Sequence, residues 1–456
     1  MNRDSSAGFF KGLKMLNKYF GLREKQTNLK TEIIAGVTTF LTMAYIIFVN
    51  PAILSDAGMD KSAVIVVTCI VSAIATIAVG IFANAPIAMA PGMGLNAFFA
   101  YSLVISGKAS WQTALGVVFL SGVFFLILTL VGLRKKLVEA IPVELIAAIS
   151  VGIGLFITFI GLVNMGVVVK NDATLVAAGE FTPTVMIGLF GLLVMIILEM
   201  KKVKGSLLIG IAAATGAALL TGKVAWPENI ASLNCDISAV FLKLDIVGAI
   251  KWSMFGAIFS LMFMDMFDSV GTLVACCHQA DMVNEDKTIK GLDRLLGIDA
   301  LATMVGALFG TSTTTAYLES ASGIEQGGRS GLTSVITGGL FLVSLLFVPL
   351  VGIVPGYATA PALIMVGLFM MKEIRNIDFT DIEQAFPSFI IMVMIALSYS
   401  ISTGLAFGFV SFVIIKTASG KVKEIKPAMW IVAILSLVFL GLDWVTAFFS
   451  NFNNAG

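Results

Sequence analysis

Long apolar segments alternate with short polar loops along almost the whole chain. Most hold about 20 residues, the length that a helix needs to cross the hydrocarbon core of a bilayer. Seven segments precede a polar stretch at 222–247 and seven follow it. One further apolar run, from Trp430 to Leu442, predicts either another span or a helix along the membrane surface. The fourteen predicted spans lie near residues 32–50, 63–84, 88–105, 112–133, 142–165, 183–200 and 205–221, then 250–276, 292–309, 316–328, 331–353, 356–372, 385–401 and 403–418.

Composition places the chain among polytopic all-α membrane proteins. Of its 456 residues 58% are hydrophobic and only 12% are charged, against roughly 25% charged in a typical soluble domain. The mean hydropathy is +0.98, and the net charge of +1 gives no reason to expect nucleic acid as a partner. The four cysteines show no CxxC spacing and His278 is the single histidine, so neither a disulfide scaffold nor a zinc motif is indicated. We expect no cofactor or metal.

Loop charges predict the orientation of the chain. Clusters of Lys and Arg would all fall on one side of the membrane, and the intervening loops carry few. The positive-inside rule therefore predicts a cytoplasmic N-terminus. Residues 1–30 form a basic segment with apolar residues at helical spacing, typical of either an amphipathic helix on an anionic leaflet or a solvated tail. The other clusters are Arg134–Lys136, Lys201–Lys204, Lys372 with Arg375, and Lys416–Lys426.

The two halves show weak internal similarity. An odd number of spans in each half makes the halves inverted repeats, a common plan among transporters. The third span of each half opens with an irregular stretch that ends in a polar residue: residues 90–96 (APGMGLN) and residues 313–319 (TTTAYLE). These positions predict broken helices around a central site, where free N–H groups bind an anion or a carbonyl oxygen.

Three of the acids within the predicted spans of the second half indicate function. Asp265 and Asp268 are three residues apart in the eighth span, a spacing that puts both carboxyl groups on one helix face. Glu319 lies in the irregular stretch of the tenth span. A carboxylate in the hydrocarbon region costs a few kcal/mol, so such a group faces a bundle interior or a wet cavity. This pattern indicates a transporter, and burial favours the protonated form of each acid.

At four segments the chain resembles a known family. They are residues 38–51 (TTFLTMAYIIFVNP), 90–102 (APGMGLNAFFAYS), 265–273 (DMFDSVGTL) and 313–331 (TTTAYLESASGIEQGGRSG). They are similar to the AzgA-like branch of the nucleobase–cation symporter family, related to uracil and nucleobase–ascorbate permeases. The resemblance runs across about 30–420. It implies proton-driven transport of adenine, guanine or hypoxanthine.

The resemblance also implies the architecture. The family has seven plus seven inverted repeats in a core domain and a gate domain, with short extended segments before broken spans 3 and 10. It implies an elevator-like movement of core against gate, a homodimer through the gate domain, and a bacterial inner membrane as location. The implied division is 1–30 cytoplasmic basic segment, 31–135 first core segment (spans 1–4), 136–222 first gate segment (spans 5–7), 223–247 polar loop, 248–354 second core segment (spans 8–11), and 355–456 second gate segment (spans 12–14 with the C-terminal apolar run).

Three residues carry the family's binding positions. The eighth-span acid, followed by two residues and a glycine, matches Asp268 before Gly271. The tenth-span acid matches Glu319, and the third-span asparagine matches Asn96. The resemblance implies that these three side chains bind the purine, because a carboxylate can accept hydrogen bonds from adjacent N–H groups of the base. Many relatives have Glu where Asp268 stands, and the shorter side chain leaves room for a bicyclic purine.

Further residues have roles that the sequence leaves open. Asp265 is either a proton relay beside Asp268 or the partner of a facing Ser or Thr. Asp299 is predicted to form a structural ion pair with Arg294, and proton coupling is the alternative. Thr272, one turn beyond Asp268, would lie on the same face and support it.

The third and tenth spans add three more candidates. The ring of Phe98 either stacks on the base, since every base has a π-face, or packs within the bundle. The backbone at Leu95 and Leu318 is expected to be open to ligand, because both residues flank the broken stretches.

The sequence therefore predicts a proton-coupled symporter that imports purine nucleobases, with hypoxanthine and guanine ahead of adenine. A uracil or xanthine permease is the nearest alternative. An anion carrier of the same architecture would use helix N-termini and a basic residue, without an acid at its centre. An intramembrane aspartic protease is disfavoured by two aspartates three residues apart on one helix, and a passive channel would not need titratable acids.

Overall fold

A computed structural model describes residues 17–132, 141–227, 229–232, 235–283 and 289–454, with the side chains of residues up to 441. The basic residues Arg134–Lys136, most of the predicted N-terminal amphipathic segment and some residues of the 281–294 loop lie outside these ranges. The first repeat comprises α1 (Leu29–Met43), α2 (Ile46–Asp56), α3 (Lys61–Ala78), β1 (Met89–Pro91), α4 (Met93–Ala97), α5 (Trp111–Leu130), α6 (Val143–Met165), β2 (Val168–Asn171), β3 (Leu175–Ala178), α7 (Pro183–Met200) and α8 (Ser206–Leu220).

Helices α3 and α4 of the first repeat continue as π-helical turns, at Val79–Ala83 and Phe98–Ile105.

The second repeat follows the polar loop. The second repeat comprises α9 (Ile246–Ala249), α10 (Phe255–Gln279), α11 (Leu292–Phe309), β4 (Thr314–Ala316), α12 (Ser320–Glu325), α13 (Gly331–Ser344), α14 (Val348–Gly352), α15 (Gly356–Met370), α16 (Ile382–Ser398), α17 (Ile401–Ala418) and α18 (Pro427–Asn454), with 3₁₀ turns at Trp252–Met254, Leu345–Phe347, Met371–Asn376 and Val422–Glu424.

Each of the fourteen predicted spans corresponds to helical structure. Nine helical segments in the described ranges are long and apolar enough to cross a membrane, which makes the chain a multi-pass membrane protein. They are spans 1, 2, 4, 5, 6, 8, 11, 12 and 14. Spans 7 and 13 are shorter helices, and spans 3 and 10 are broken as predicted, each a short strand followed by a helix. Span 9 is helix α11, which carries three charged residues.

Local sequence signals explain where many spans begin. The side chains of Asn28, Asp60, Ser110 and Ser400 each accept a hydrogen bond from a backbone N–H in the first turn of the helix that follows. Such caps satisfy N–H groups that have no partner within the helix. They matter more in a membrane protein, because lipid cannot hydrogen-bond an unpaired backbone group.

A buried acid holds the start of span 11. Glu32, in the first turn of α1, is fully buried. Its carboxylate accepts hydrogen bonds from the Ser330 hydroxyl at 2.7 Å, the Thr333 hydroxyl at 2.6 Å and the backbone N–H groups of Arg329 and Thr333. A carboxylate with four donors is fully compensated for its burial. Glu32 therefore joins span 1 to the N-terminus of α13, a role that the sequence did not reveal.

The spans pack in two groups. Helix α6 packs on α15 and α16, α16 on α17, and α7 on α8 and α15. In the other group α13 packs on α1 and α3, α11 on α5, and α12 on α1. The first group holds spans 5–7 and 12–14, and the second holds spans from the remaining eight. The proposed boundaries between core and gate domains stay a prediction.

The leftover apolar run belongs to a long helix. Helix α18 extends from Pro427 to Asn454, 28 residues, which at 1.5 Å per residue is about 42 Å. It packs on α17 and buries Met429, Val432 and Ala433. The helix is long enough to cross a bilayer in addition to the fourteen predicted spans.

Candidate substrate site

Two short strands meet at the centre of the second group. β1 pairs antiparallel with β4, with Met89 opposite Ala316 and Pro91 opposite Thr314. The backbone N–H of Gly92 donates to Thr313 O at 2.9 Å, and that of Tyr317 donates to Ala88 O at 3.0 Å. Strands in a membrane interior need such pairing, because their backbone groups have no water to bind. The pairing brings the broken points of spans 3 and 10 together.

Side chains reinforce this strand pair. The Tyr317 hydroxyl donates to Pro91 O at 2.5 Å, and the Ala88 N–H donates to the Ser320 hydroxyl at 3.0 Å. The Thr76 hydroxyl, from span 2, bonds both the N–H and the carbonyl of Met89 at 3.0 Å. These bonds hold the loops before α4 and α12 in a fixed relation.

Asp268 is the acid on α10 that reaches open space. Its neighbours Phe267 and Ser269 are buried, but Asp268 is exposed. Asp268 is thus accessible on the face of α10 that lies near Glu319. Among the described residues no donor contacts its carboxyl group, and Thr272 lies half-buried one turn further along α10.

Glu319 lies in the broken region of span 10. It directly precedes α12 and is half-buried. Its carboxyl oxygen Oε1 accepts a short hydrogen bond from the hydroxyl of Tyr45, and its carbonyl accepts a hydrogen bond from the Thr42 hydroxyl at 3.4 Å. The adjacent Leu318 is 56% exposed, and its contact with a ligand stays a prediction.

Glycine permits the close approach of span 1 to α12. A Cβ at Gly323 would meet the Thr39 hydroxyl and lie 2.6 Å from Ala35 O. Any larger residue at position 323 would push α12 away from α1. It would thereby separate Glu319, which directly precedes α12, from its contacts in span 1. The glycine in the SASG sequence is therefore explained by packing.

Asn96 lies in a buried network. It is fully buried, its amide nitrogen donates to Asn50 Oδ1 at 2.7 Å, and its amide oxygen accepts a hydrogen bond from Ser312. Asn50 in turn donates to the hydroxyls of Thr68 at 2.8 Å and Thr311 at 3.1 Å. The network joins spans 1, 2 and 3 to the start of the β4 segment. Both ends of the Asn96 amide are engaged by protein, and its contact with substrate stays a prediction.

The other predicted residues of span 3 are also enclosed. Leu95 is 2% exposed and Phe98 is 1% exposed. In this conformation neither face of the Phe98 ring is open to a base, so the structure accords with packing, and stacking stays a prediction. The Leu95 side chain would contact a Cβ placed at Gly92, and it closes the turn between β1 and α4.

Asp265 and Asp299 are both buried away from the open side of the site. The Asp265 carboxyl group accepts hydrogen bonds from the Thr303 hydroxyl at 3.2 Å and the Ser269 hydroxyl at 3.5 Å. The predicted partnership with a facing Ser or Thr is therefore observed. Asp299 is fully buried while Arg294 is exposed. The expected ion pair of these two, and proton coupling through either acid, stay predictions.

Sequence reasoning missed Tyr45, although the residue lies in a segment that carries the family resemblance. A signal was present, because a buried Tyr hydroxyl in an apolar span needs a polar partner. Within the described ranges, no group of three His, Cys, Asp or Glu side chains is arranged to hold a metal ion. A cavity of about 630 Å³ lies elsewhere, lined by residues that include Asn164, Gly179 and Tyr357, and none of the acids discussed above lines it.

Two broken helices whose short strands pair, with two acids close by, are typical of transporters. The Permease family model, Xan_ur_permease, matches residues 30–407. The chain belongs to this permease family, within the nucleobase–ascorbate transporter superfamily.

Permeases that align over nearly the whole chain are similar to it in sequence. The chain is 41% identical to the adenine permease AdeP of Escherichia coli strain K12, over 94% of this chain and 97% of that protein. It is 42% identical to the guanine/hypoxanthine permease PbuO of Bacillus subtilis strain 168, over 92% of this chain and 99% of that protein.

Solved structures show the fold. The transmembrane domain of a cyanobacterium bicarbonate transporter, BicA, aligns with a TM-score of 0.63 at 16% identity, over 82% of this chain and 97% of that domain. The fold is thus the inverted repeat of seven plus seven spans that the sequence predicted.

Proposed function

We propose that this permease is a proton-coupled importer of purine nucleobases, with hypoxanthine and guanine preferred and adenine next. The observation that carries the proposal is the pair of acids Asp268, on α10, and Glu319, before α12, which lie near each other and are both accessible at least in part. Relatives that align over nearly the whole chain are adenine and guanine/hypoxanthine permeases, which supports a purine as substrate.

The chemistry of the pair fits the edge of a purine. A purine presents N–H donors, and a carboxylate accepts charge-assisted hydrogen bonds from them. Asp268 accepts from the base, Glu319 accepts from a second N–H, and Thr272 and the backbone at Leu318 border the ligand. Asn96 contributes by fixing the start of span 3. This arrangement also disfavours an anion as substrate, because two acids would repel it.

Proton coupling follows from the same acids. An acid that loses its water on substrate binding favours its neutral form, so one of the two carboxyl groups carries the proton inward. Buried Asp265 and Asp299 are candidates for a relay. We further propose that the core domain moves against the gate domain, and that the gate domain forms a homodimer in a bacterial inner membrane with the N-terminus in the cytoplasm.

Uptake of radiolabelled hypoxanthine tests the proposal, in cells that lack their own purine carriers. We expect accumulation that collapses with a protonophore and is blocked by excess guanine, with adenine competing less. Competition by uracil or xanthine alone would assign a different nucleobase. Uptake that ignores all nucleobases, or that sulfate or bicarbonate blocks, would overturn the assignment.

A further inference from the structure

Span 1 has a local irregularity beside the site. Helix α1 ends at Met43 and α2 begins at Ile46, and Tyr45 lies between them with helical backbone angles. Tyr45 is 2% exposed, and its hydroxyl donates to Oε1 of Glu319. One turn earlier, the Thr42 hydroxyl lies 3.4 Å from the carbonyl oxygen of the same residue, farther than from the Thr39 carbonyl of its own helix at 2.9 Å. Span 1 therefore holds the side chain of Glu319 through Tyr45.

The hydrogen bond leaves the two acids unequal. A carboxylate has two oxygens, and the phenol engages one of the Glu319 oxygens. We propose that Tyr45 is a positioning residue, which holds Glu319 so that its other oxygen faces the base. Asp268, which no described donor contacts, then offers both oxygens. This inference rests on the proposed function and adds to it the geometry with which Glu319 meets the substrate.

Few other groups can affect the Glu319 carboxyl. The titratable groups that face it are Asp268 and Cys276 from α10, Tyr317 from the β4 segment, and Tyr45. The Tyr317 hydroxyl is already engaged with Pro91 O. Among the described side chains, Tyr45 is thus the one hydroxyl that donates to this carboxyl group.

The phenol also affects the charge of the site. A donor stabilises the carboxylate relative to the protonated acid, and a base with N–H groups needs an acceptor. Removal of the hydroxyl therefore lets Glu319 bind a proton more readily, and the accepting form is populated only at higher pH. Both the affinity for substrate and the pH dependence of uptake depend on this one bond.

The test compares Tyr45→Phe with Tyr101→Phe in the full-length protein. The Tyr101 hydroxyl also donates to a carboxylate, that of Asp56 at 2.6 Å, remote from Glu319. For Tyr45→Phe we expect KM for hypoxanthine to rise about tenfold, because a hydrogen bond to a charged group is lost. We expect the acidic limb of the pH profile to move up by about one pH unit. Tyr101→Phe also loses the contact of its hydroxyl with Asn164 and can change the rate of uptake, but the acidic limb of its pH profile should stay at the wild-type position.

Infrared difference spectra of purified protein test the role of Tyr45 without a transport assay, and so independently of the proposed function. The protonated carboxyl band that Glu319→Gln removes should appear at higher pH in Tyr45→Phe than in wild type. If wild type takes up no purine but the band shifts, the proposed function fails and the positioning role stands. If the variant keeps the wild-type pH profile and band, or if Tyr101→Phe shifts the profile equally, the positioning role is overturned.

Discussion

The two broken spans have the same architecture but different chemistry. Span 3 and span 10 each begin with a strand of the β1–β4 pair and continue as a helix. The polar residue after β1 is Asn96, neutral, fully buried and bonded at both ends of its amide. The polar residue after β4 is Glu319, which is acidic and half-buried. One junction is thus enclosed and fully bonded within the protein, and the other has an accessible acid, which is proposed to bind the substrate.

The comparison extends to the acids of the bundle. Glu32 is buried with four donors, and Asp265 is buried with two hydroxyl partners that the structure identifies. Asp268 faces open space, and no donor contacts it among the described residues. The protein already occupies acceptor sites of Glu32 and Asp265, which leaves fewer of them for a ligand. Burial alone is therefore a weaker reason to propose a functional acid here than an accessible carboxyl group with free acceptor sites.

The largest effect is expected at Asp268. Asp268→Asn keeps the shape of the side chain but replaces one acceptor oxygen with a donor and removes the titratable group. We expect uptake of hypoxanthine to be abolished, while the amount of protein in the membrane stays at the wild-type level. Asp172→Asn, in the exposed hairpin between β2 and β3, is the matched control and should transport normally. Wild-type accumulation by Asp268→Asn would refute the central role of this acid.

The sequence alone predicted the spans and singled out two of these acids. The apolar segments predicted the spans because the requirement to satisfy every backbone group in lipid leaves few alternatives to a helix. Asp268 and Glu319 stood out because acids are costly in spans. Both are located where the sequence predicted, on α10 and before α12.

The rest depended on contacts between segments far apart in the chain. Glu32 appears in the sequence as a charge near the start of a span, and its donors come from residues almost 300 positions later. Asn96 and Ser312 meet only because β1 pairs with β4. No periodicity or local motif encodes such partners, so burial of Asn96 and the contact between Tyr45 and Glu319 required the structure.

A smaller effect, of a different kind, is expected at Asn96. Asn96→Ala leaves the amide of Asn50 and the hydroxyl of Ser312 without their partner in a buried region. Such a loss costs about 1–3 kcal/mol of stability. We expect a lower thermal midpoint in detergent, with KM for hypoxanthine nearly unchanged in the protein that remains folded. Glu319→Gln should show the opposite pattern, with normal stability and impaired uptake. A large rise in KM for Asn96→Ala at unchanged stability would assign Asn96 to the ligand.

The smallest effect on transport is expected from a mutation at a contact between the two packed groups of helices that does not involve Asp268 or Glu319. The Asn164 amide, at the end of α6, lies 3.2 Å from the Tyr101 hydroxyl and 3.4 Å from the Asp56 carboxylate. If the core moves against the gate during transport, this contact exists in one conformation only. Its loss in Asn164→Ala then destabilises that conformation by about 1 kcal/mol, a change of about fivefold in the equilibrium.

Labelling of a cysteine at position 318 measures this equilibrium, because Leu318 is exposed beside Glu319. Cys235 is the exposed native cysteine in the described residues and is first replaced in Cys235→Ser. With Leu318→Cys in this background, we expect Asn164→Ala to change labelling from outside the cell several-fold. Val169→Ala, on the exposed hairpin beside α6, should leave labelling unchanged. Equal labelling with and without Asn164→Ala would mean that the contact persists through the transport cycle, since a bond present in every conformation cannot shift the balance between them.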